Sequence, residues 1–306
     1  MRGHLKSNIP ITHVLMLAIL LVPALGRAGG ACTPGSVGSG WRTVTVRSGG
    51  LAREVALYVP AAALGRSHLP LVFDLHGSVE NARLQALNSR LSMQADRHGF
   101  LLANPEGGIH DPASPADKLF WNMPGVPLFG DLQTPADAPD DVQFFRDAID
   151  QIGRSACVDS HRVYVTGFSG GARMASLLAC ELADRIAAIA AVAGVRAGLT
   201  SARDPPTPET RSCAPRRPVS VVTFHSANDP VNRFNGDRSV RWGYGVPAAL
   251  TRWAQIDGCR AAPSERRVSA HVTVVRYLGC RGGTEVMLYR IDASALLWEF
   301  FARHRS

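Results

Sequence analysis

Short apolar runs alternate with segments of helical periodicity along most of the chain. The runs LVFDL (71–75), RVYVT (162–166) and VSVVTF (219–224) are almost continuously apolar, which is typical of central strands buried on both faces. Residues 54–59 alternate between apolar and polar instead, as in a strand with one exposed face. The pattern predicts strands at 42–48, 54–59, 71–75, 100–103, 162–166, 187–192, 219–224, 271–277 and 284–290.

Segments with helical spacing separate these strands. Apolar residues recur at helical intervals in 84–91 and in 142–152, and Asp140 and Asp141 favour a helix N-terminus at the start of the second segment. A last amphipathic helix is predicted at 296–301, behind a capping aspartate. Strands that alternate with helices predict an α/β fold with a mostly parallel sheet and helices on both faces.

Residues 1–28 are typical of a secretory signal. Arg2 and Lys6 precede an apolar stretch at 14–25 that is shorter than a membrane span. We therefore expect a secreted or periplasmic protein that forms one domain over residues 29–306 and does not insert stably in a membrane. A lipoprotein anchored at Cys32 is the alternative, although the preceding residues lack the leucine usual at such sites.

Charge and composition argue against a nucleic-acid partner. The composition is globular, with 46% hydrophobic and 19% charged residues, and the formal net charge is +8. The leader holds three of the 33 basic residues and no acidic residue, so the remainder of the chain has 30 basic and 25 acidic residues. The arginines are scattered along the chain, whereas a nucleic-acid-binding protein usually clusters them on one face.

The cysteines support export. An even number of cysteines in an exported chain suggests disulfides, with fifteen possible pairings for six residues. No CxxC spacing is present, so we expect neither a zinc site nor any other metal or cofactor. The six are Cys32, Cys157, Cys180, Cys213, Cys259 and Cys280.

The motif GFSGG at 167–171 is the strongest chemical signal. It follows a predicted strand and opens a predicted helix, as the G-x-S-x-G nucleophile turn of a hydrolase requires. Ser169 is the candidate nucleophile, and the amide of Gly170 is expected to face a developing oxyanion. A glycine-rich turn with an incidental serine is the structural alternative.

Two further polar residues follow predicted strands. Ser78, in the stretch LHGS, supplies the natural second oxyanion amide, and the neighbouring His76 is interpreted as structural. Asp229 lies just beyond the end of strand 219–224, at the chain position expected for the triad acid. By itself it would be read as a turn residue before Pro230.

With these residues, the chain resembles the secreted α/β-hydrolases grouped as polyhydroxybutyrate depolymerase and feruloyl esterase-like proteins. The resemblance rests on LHGS, GFLLANPEGG, GFSGG, FHSANDPV and DASALLWEFFARH, and it spans almost the whole mature chain. It implies a secreted carboxylic-ester hydrolase of the α/β-hydrolase fold, with Ser169 as nucleophile and Asp229 as triad acid. It also implies disulfides Cys180–Cys213 and Cys259–Cys280, and leaves Cys32 and Cys157 as a third candidate pair.

One departure from that family concerns the catalytic base. The family carries a Gly-His-x-Trp-Pro loop before the last helix, and the histidine of that loop is the general base. In this chain the last predicted strand, 284–290, leads directly into Ile291-Asp292-Ala293-Ser294 without a histidine.

The other histidines of the chain are weak candidates for the missing catalytic base. His304 and His161 are expected at the wrong end of the sheet. His271 would lie near Arg290, at the margin of the catalytic edge, if the last two predicted strands form an antiparallel hairpin. His225 resembles a structural position of the family, so the base remains unassigned.

Three interpretations stay open. The first is an esterase for a small or oligomeric ester, favoured over a crystalline polymer because no binding module follows the last helix. The second is a catalytically silent hydrolase fold that binds an ester or cell-wall ligand. The third is a defective product that has lost the histidine loop. In the subtilisin example, loss of the triad histidine costs about 10⁶ in turnover, while about 10³–10⁴ over water remains.

Overall fold

A large mixed sheet forms the centre of the protein. The computed structural model describes residues 38–111, 118–128, 132–203, 206–237, 239, 241 and 243–292. All of these fall in one compact unit, Cys32–Ser306. The strands are β1 (Gly40–Ser48), β2 (Leu51–Val59), β3 (Leu69–Leu75), β4 (Leu101–Pro105), β5 (Ile109–His110), β6 (Leu119–Phe120), β7 (Val158–Phe168), β8 (Ala188–Val192), β9 (Ser220–Ser226), β10 (Ser264–Ser269), β11 (Val272–Tyr277) and β12 (Val286–Ile291).

Six neighbouring strands in the middle of this sheet are parallel. The order is β1-β2-β4-β3-β7-β8-β9-β12-β11-β10, and antiparallel pairs occur only toward the two edges of the described sheet. Strands β5 and β6 form a separate two-stranded ribbon. The mostly parallel sheet predicted from the sequence is confirmed, and each central strand is flanked by apolar neighbours as its near-continuous hydrophobic run requires.

The helices occupy both faces of the sheet. The crossover from β3 to β4 moves one way along the sheet, whereas those from β4 to β7, β7 to β8 and β9 to β12 move the other way. Because such crossovers are right-handed, the first lies on one face and the others on the opposite face. The helices are α1 (Ala82–Ser89), α2 (Leu91–His98), α3 (Asp141–Ala156), α4 (Gly170–Glu181) and α5 (Val246–Ile256).

Helix α3 has a clear sequence signal, whereas the signal for α1 and α2 is weak. In α3 the Asp140 side chain accepts a hydrogen bond from Gln143 N at 2.9 Å, and Phe145 and Ile152 lie on a buried face. The helical segment predicted around Leu84 and Leu87 is present, although both side chains are exposed. The chain there forms two short helices, α1 and α2, separated by a left-handed residue.

The edge strand β10 was missed. All six of its residues, SERRVS, are exposed, so they carry no apolar alternation that a strand prediction could use. The expected antiparallel pairing of β11 with β12 is present, with Thr273 opposite Arg290. His271 consequently lies opposite Asp292, whose N–H donates to the His271 carbonyl at 2.8 Å.

A buried ion pair anchors the long segment between β4 and α3 to the rest of the fold. Arg53 Nη1 lies 2.6 Å from Asp141 Oδ1, and the two side chains are 10% and 0% exposed. The same arginine donates to Glu106 O at 2.6 Å and lies over the Phe144 ring. Asp141 Oδ2 accepts from Asn122 N at 2.6 Å, so this carboxylate joins β2, the start of α3 and the segment between them.

Two disulfides are present among the described residues. They join Cys180 to Cys213 and Cys259 to Cys280. Cys157 is disulfide-bonded as well, and Cys32, the partner suggested for it, lies outside the described residues. The predicted signal segment 1–28, the predicted last helix and His304 also lie outside them. None of the helices described is both long and apolar enough to span a membrane.

Removal of the Arg53 side chain should destabilise the protein strongly. In the variant Arg53→Ala, Asp141 would remain buried without its cation, so we expect the free energy of unfolding to fall by about 3–5 kcal/mol. Urea unfolding followed by circular dichroism measures this. The control is Arg146→Ala, which removes a pair with side chains 38% and 53% exposed and should cost less than about 1 kcal/mol. Equal losses in the two variants would contradict the role given to the buried pair.

Candidate active site

Ser169 lies on a strained turn between β7 and α4. Its backbone has φ 51° and ψ −108°, a conformation that a residue with a side chain adopts only when its surroundings enforce it. The Ser169 N–H donates to Val192 O at 2.9 Å, and its carbonyl accepts from Arg173 N at 3.1 Å. The strand–turn–helix context expected of a nucleophile turn is therefore present, with the serine partly exposed.

Glycines make this turn possible because backbone segments approach one another closely. A Cβ on Gly167 would lie 2.9 Å from Leu75 Cβ, and one on Gly171 would lie 2.6 Å from His76 O. The register Leu75↔Gly167 places the end of β3 beside the end of β7. No larger residue fits at either glycine without moving the backbone.

The two residues predicted to supply oxyanion amides, Ser78 and Gly170, lie close together. A Cβ on Gly170 would be 2.8 Å from Ser78 N, so the Ser78 amide lies against the first residue of α4. As the first helical residue, Gly170 has no intrahelical carbonyl for its N–H. A helix N-terminus favours negative charge, and Gly170 is the first residue of α4, directly after Ser169.

His76 holds the Ser78 loop in place. Its Nδ1 donates to Gly77 O at 2.7 Å, and its Nε2 accepts from Gly107 N at 2.9 Å. Burial lowers the pKa of His76 to about 4, so the ring is neutral at pH 7, as its accepting Nε2 requires. Trp121 Nε1 donates to the His76 carbonyl at 2.9 Å, and Glu80 accepts from Gly77 N. These contacts agree with the structural interpretation of His76.

Among the described residues, Asp229 is linked to Ser169 through Asn232. Asp229 Oδ1 accepts from Val231 N at 3.0 Å and from Asn232 N at 2.8 Å, in the manner of a turn residue. Asn232 Nδ2 in turn donates to Ser169 Oγ at 3.2 Å and to Ala193 O at 2.7 Å. Sequence analysis missed Asn232, whose only signal was its position just after FHSANDPV.

Among the described histidines, none hydrogen-bonds to Ser169 Oγ. His225 Nε2 donates to Asn232 O at 2.7 Å and lies 3.8 Å from Asp229 Oδ2, while its Nδ1 is buried. Burial lowers the pKa of His225, an effect that Asp229 partly opposes. His271 lies in the turn between β10 and β11. In a serine hydrolase triad the base bonds the serine directly. Among the described residues, the side chain that hydrogen-bonds to Ser169 Oγ is instead the Asn232 amide, which cannot accept a proton at neutral pH.

Most of this chain is similar to a known family of esterases. Residues 53–280 match a family model described as esterase PHB depolymerase. Feruloyl esterase B of Piromyces equi is 30% identical over 246 residues, which make up 78% of this chain and 42% of that protein. Feruloyl esterase D of Neurospora crassa is 24% identical over 284 residues, or 90% and 86% of the two chains. The match therefore spans about two fifths of the Piromyces protein.

Solved structures share the fold at lower identity. The acetyl xylan esterase from Aspergillus awamori superposes with a TM-score of 0.57 and 16% identity, covering 86% of this chain and 99% of that one. The native structure of pOPH gives a TM-score of 0.51 and 16% identity, covering 75% and 79%. At these identities the likeness shows the fold, which is that of the α/β-hydrolases.

A side chain at Gly170 should disturb the amide pair. In the variant Gly170→Ala the new methyl group would overlap Ser78, and we expect the free energy of unfolding to fall by about 1–3 kcal/mol despite the better helix propensity of alanine. Gly153→Ala, in α3, meets no atom within 4 Å and should stabilise the protein by about 0.5–1 kcal/mol. Urea unfolding compares the two variants, and equal stabilisation would show that Gly170 does not lie against Ser78.

Proposed function

The chain belongs to the esterase PHB depolymerase family, and on that basis we propose that it is a serine hydrolase of carboxylic esters with Ser169 as nucleophile. The observation that carries the proposal is a strained, partly exposed Ser169 at the start of α4, where the next residue, Gly170, lies close to the Ser78 amide. This arrangement positions a hydroxyl beside two donors for a tetrahedral oxyanion.

The proposed reaction is acyl transfer to serine. Ser169 Oγ attacks the ester carbonyl carbon, the Ser78 and Gly170 amides hold the oxyanion, and the alcohol leaves as the acyl-serine forms. Water then releases the acid. Phe168 and Val231, each beside a site residue in sequence, are 42% and 64% exposed and offer apolar surface to the substrate.

Asn232 has a positioning role in this proposal. By donating to Ser169 Oγ it fixes the hydroxyl, and by donating to Ala193 O it ties the Asp229 loop to the end of β8. Neither bond removes the proton of the serine, so solvent accepts that proton in the proposed mechanism. The oxyanion amides and substrate positioning then supply the rate enhancement, about 10³–10⁴ over water by analogy with the subtilisin example.

The proposal includes a secreted or periplasmic location for the enzyme. Two disulfides among the described residues suit an oxidising environment. Together with the signal-like residues 1–28, they support a secreted or periplasmic enzyme that acts on a small or oligomeric ester. Neither a nucleic-acid partner nor stable membrane insertion is part of this proposal, and it needs no metal or cofactor.

A silent hydrolase fold that binds esters is the second candidate. It is favoured by the absence of any histidine bonded to Ser169 Oγ within the described part of the chain. Turnover that is unaffected by removal of the serine hydroxyl would select this candidate over the esterase.

The test is the pH–rate profile of p-nitrophenyl butyrate hydrolysis. We expect slow turnover that Ser169→Ala abolishes and that shows no inflection near pH 6.5, the ordinary pKa of histidine. Asp229→Ala should lower kcat by less than about tenfold, whereas the triad acid of subtilisin contributes about 3 × 10⁴.

Matched histidine variants complete that test. His225→Ala, His271→Ala and His304→Ala should leave the profile unchanged. A rise through an apparent pKa of about 6.5 that disappears in one of these variants would identify a histidine base and contradict the proposed solvent route.

A further inference from the structure

An open groove lies between the outer face of strands β1 and β2 and the helices α1 and α2. It encloses about 760 Å³, and its lining surface is mainly apolar. Trp41, Thr43 and Ala56 line it from the strands, and Leu87 and Met93 line it from the helices. Strand β2 is three positions from β7 in the sheet, or about 14 Å at ordinary strand spacing, so the groove is separate from the candidate active site.

Three large apolar side chains of this groove are in contact with solvent. Trp41 is 47% exposed, Leu87 is 61% exposed and Met93 is 53% exposed. The Trp41 ring is tilted against the Tyr58 ring, with 5.1 Å between their centres, and the Tyr58 hydroxyl donates to Asp96 at 2.8 Å. Single exposed apolar residues are ordinary, whereas several that line one recess are typical of a binding surface.

Two arginines on the same side of the groove have uncommitted guanidinium groups. Arg83 and Arg90 both line the groove and are exposed, and neither forms a hydrogen bond or ion pair with the described residues. Together with Leu87 they recur at helical intervals, so they share one face of α1 and its C-terminal cap. A third arginine of the groove, Arg42, donates to Gly38 O.

The carboxylates of the groove lie toward one end of it. Glu106 lines the groove, and its Oε2 accepts from the backbone N–H of the first residue of α1 at 2.9 Å. A neighbouring cavity of about 600 Å³ shares Arg83 and Glu106 with the groove and is lined by Glu54 as well, but not by Arg90. The position beside Arg90 is therefore the more favourable one for an anion.

We propose that this groove binds one molecule of an amphiphilic carboxylate, with its apolar body on Trp41, Leu87 and Met93 and its carboxylate on Arg90. Fatty acids of medium chain length belong to this class. Apolar contact supplies most of the affinity, and a guanidinium matches a carboxylate in shape and charge. This binding site goes beyond the proposed ester hydrolysis and does not depend on it.

The shape of the surface favours a single molecule over a membrane. Apolar side chains that insert into a lipid surface have to protrude from the protein, as on the apolar face of an interfacial helix. Here the apolar side chains of Trp41, Leu87 and Met93 line a recess between two layers of the fold. A recess of this kind surrounds the body of a small ligand.

Three small probes test the two parts of the proposed ligand separately. Calorimetry measures the binding of decanoate, of decyltrimethylammonium, which has the same chain and the opposite charge, and of acetate, which has the charge and no chain. All three are used below the concentrations at which micelles form. We expect decanoate to bind at least about tenfold more tightly than either of the others, because only decanoate uses both the apolar surface and Arg90.

Variants of the groove should change this affinity selectively. Trp41→Ala should weaken decanoate binding by about tenfold, because it removes a large part of the apolar surface. Arg90→Gln should weaken it by about fivefold without weakening that of decyltrimethylammonium, and Arg90→Lys should retain most of the affinity. Added salt should weaken decanoate binding in the unmodified protein, since the attraction is exposed to solvent.

A matched control comes from the opposite edge of the described sheet. Arg266→Gln replaces an exposed arginine of β10 and should leave the affinity for decanoate unchanged. Circular dichroism establishes that each variant folds, and the substituted residues Trp41, Arg90 and Arg266 are all exposed.

Two results with these probes would overturn the proposal. Equal affinities for decanoate and decyltrimethylammonium would show that Arg90 does not select a carboxylate. Decanoate binding that neither Trp41→Ala nor Arg90→Gln weakens would show that the ligand lies elsewhere, for example beside Ser169.

Two other occupants would also overturn it. Sedimentation velocity detects a second copy of the chain, and a dimer that Leu87→Ser dissociates, without decanoate binding, would assign the groove to that contact. Binding to phosphatidylglycerol vesicles that Leu87→Ser abolishes, without binding of monomeric decanoate, would assign it to a lipid surface.

Discussion

The first turn of α4 lies directly against the end of β3, and the arrangement of the site depends on this contact. Gly167, Gly170 and Gly171 allow it, since a methyl group on any of them would overlap backbone or side-chain atoms of residues 75–78 or of the turn itself. The close approach holds Ser169 at positive φ and brings the Ser78 amide beside Gly170. The neutral His76 and Trp121 support the same loop from its other side. The site is thus preorganised by packing, and strain at one residue is balanced by contacts around it.

Much of this architecture could be predicted from the sequence, because the relevant signals are local. Buried parallel strands require nearly continuous apolar runs, and the runs that precede Ser78, Ser169 and Asp229 show them. Strand β10 gave no such signal, since an exposed edge strand has no buried face. Helix α5 was also missed. It begins with Val246-Pro247, and a proline in the first turn suits a helix start. Its first turn has neither an acidic residue nor a side-chain cap, the signals that favoured α3.

The remaining features of the site could not be predicted, because they depend on contacts between distant residues. Asn232 and Ser169 are 63 positions apart, and Arg241 and Ser78 are 163 apart. A single asparagine or arginine in a loop has many ordinary roles, so its type alone assigns none of them. The absence of a histidine loop was visible in the sequence, but which side chain meets Ser169 Oγ instead depends on how residues 229–232 fold. The role of Asp229 could not be predicted either. Its position in the chain suggested the triad acid, whereas its hydrogen bonds are those of a turn residue.

Strand β10 has a consequence for edge-to-edge pairing between copies of this chain. An outermost strand presents unpaired backbone groups, and a flat, apolar edge of this kind recruits further strands and leads to aggregation. Here the outermost strand carries Glu265, Arg266 and Arg267, and its register shifts between Arg267 and Ser269. Charged side chains and an interrupted ladder both oppose edge-to-edge pairing. Strand β10 is exposed and mostly polar, which left no signal for a strand in the sequence. The same property opposes growth of the described sheet at this edge.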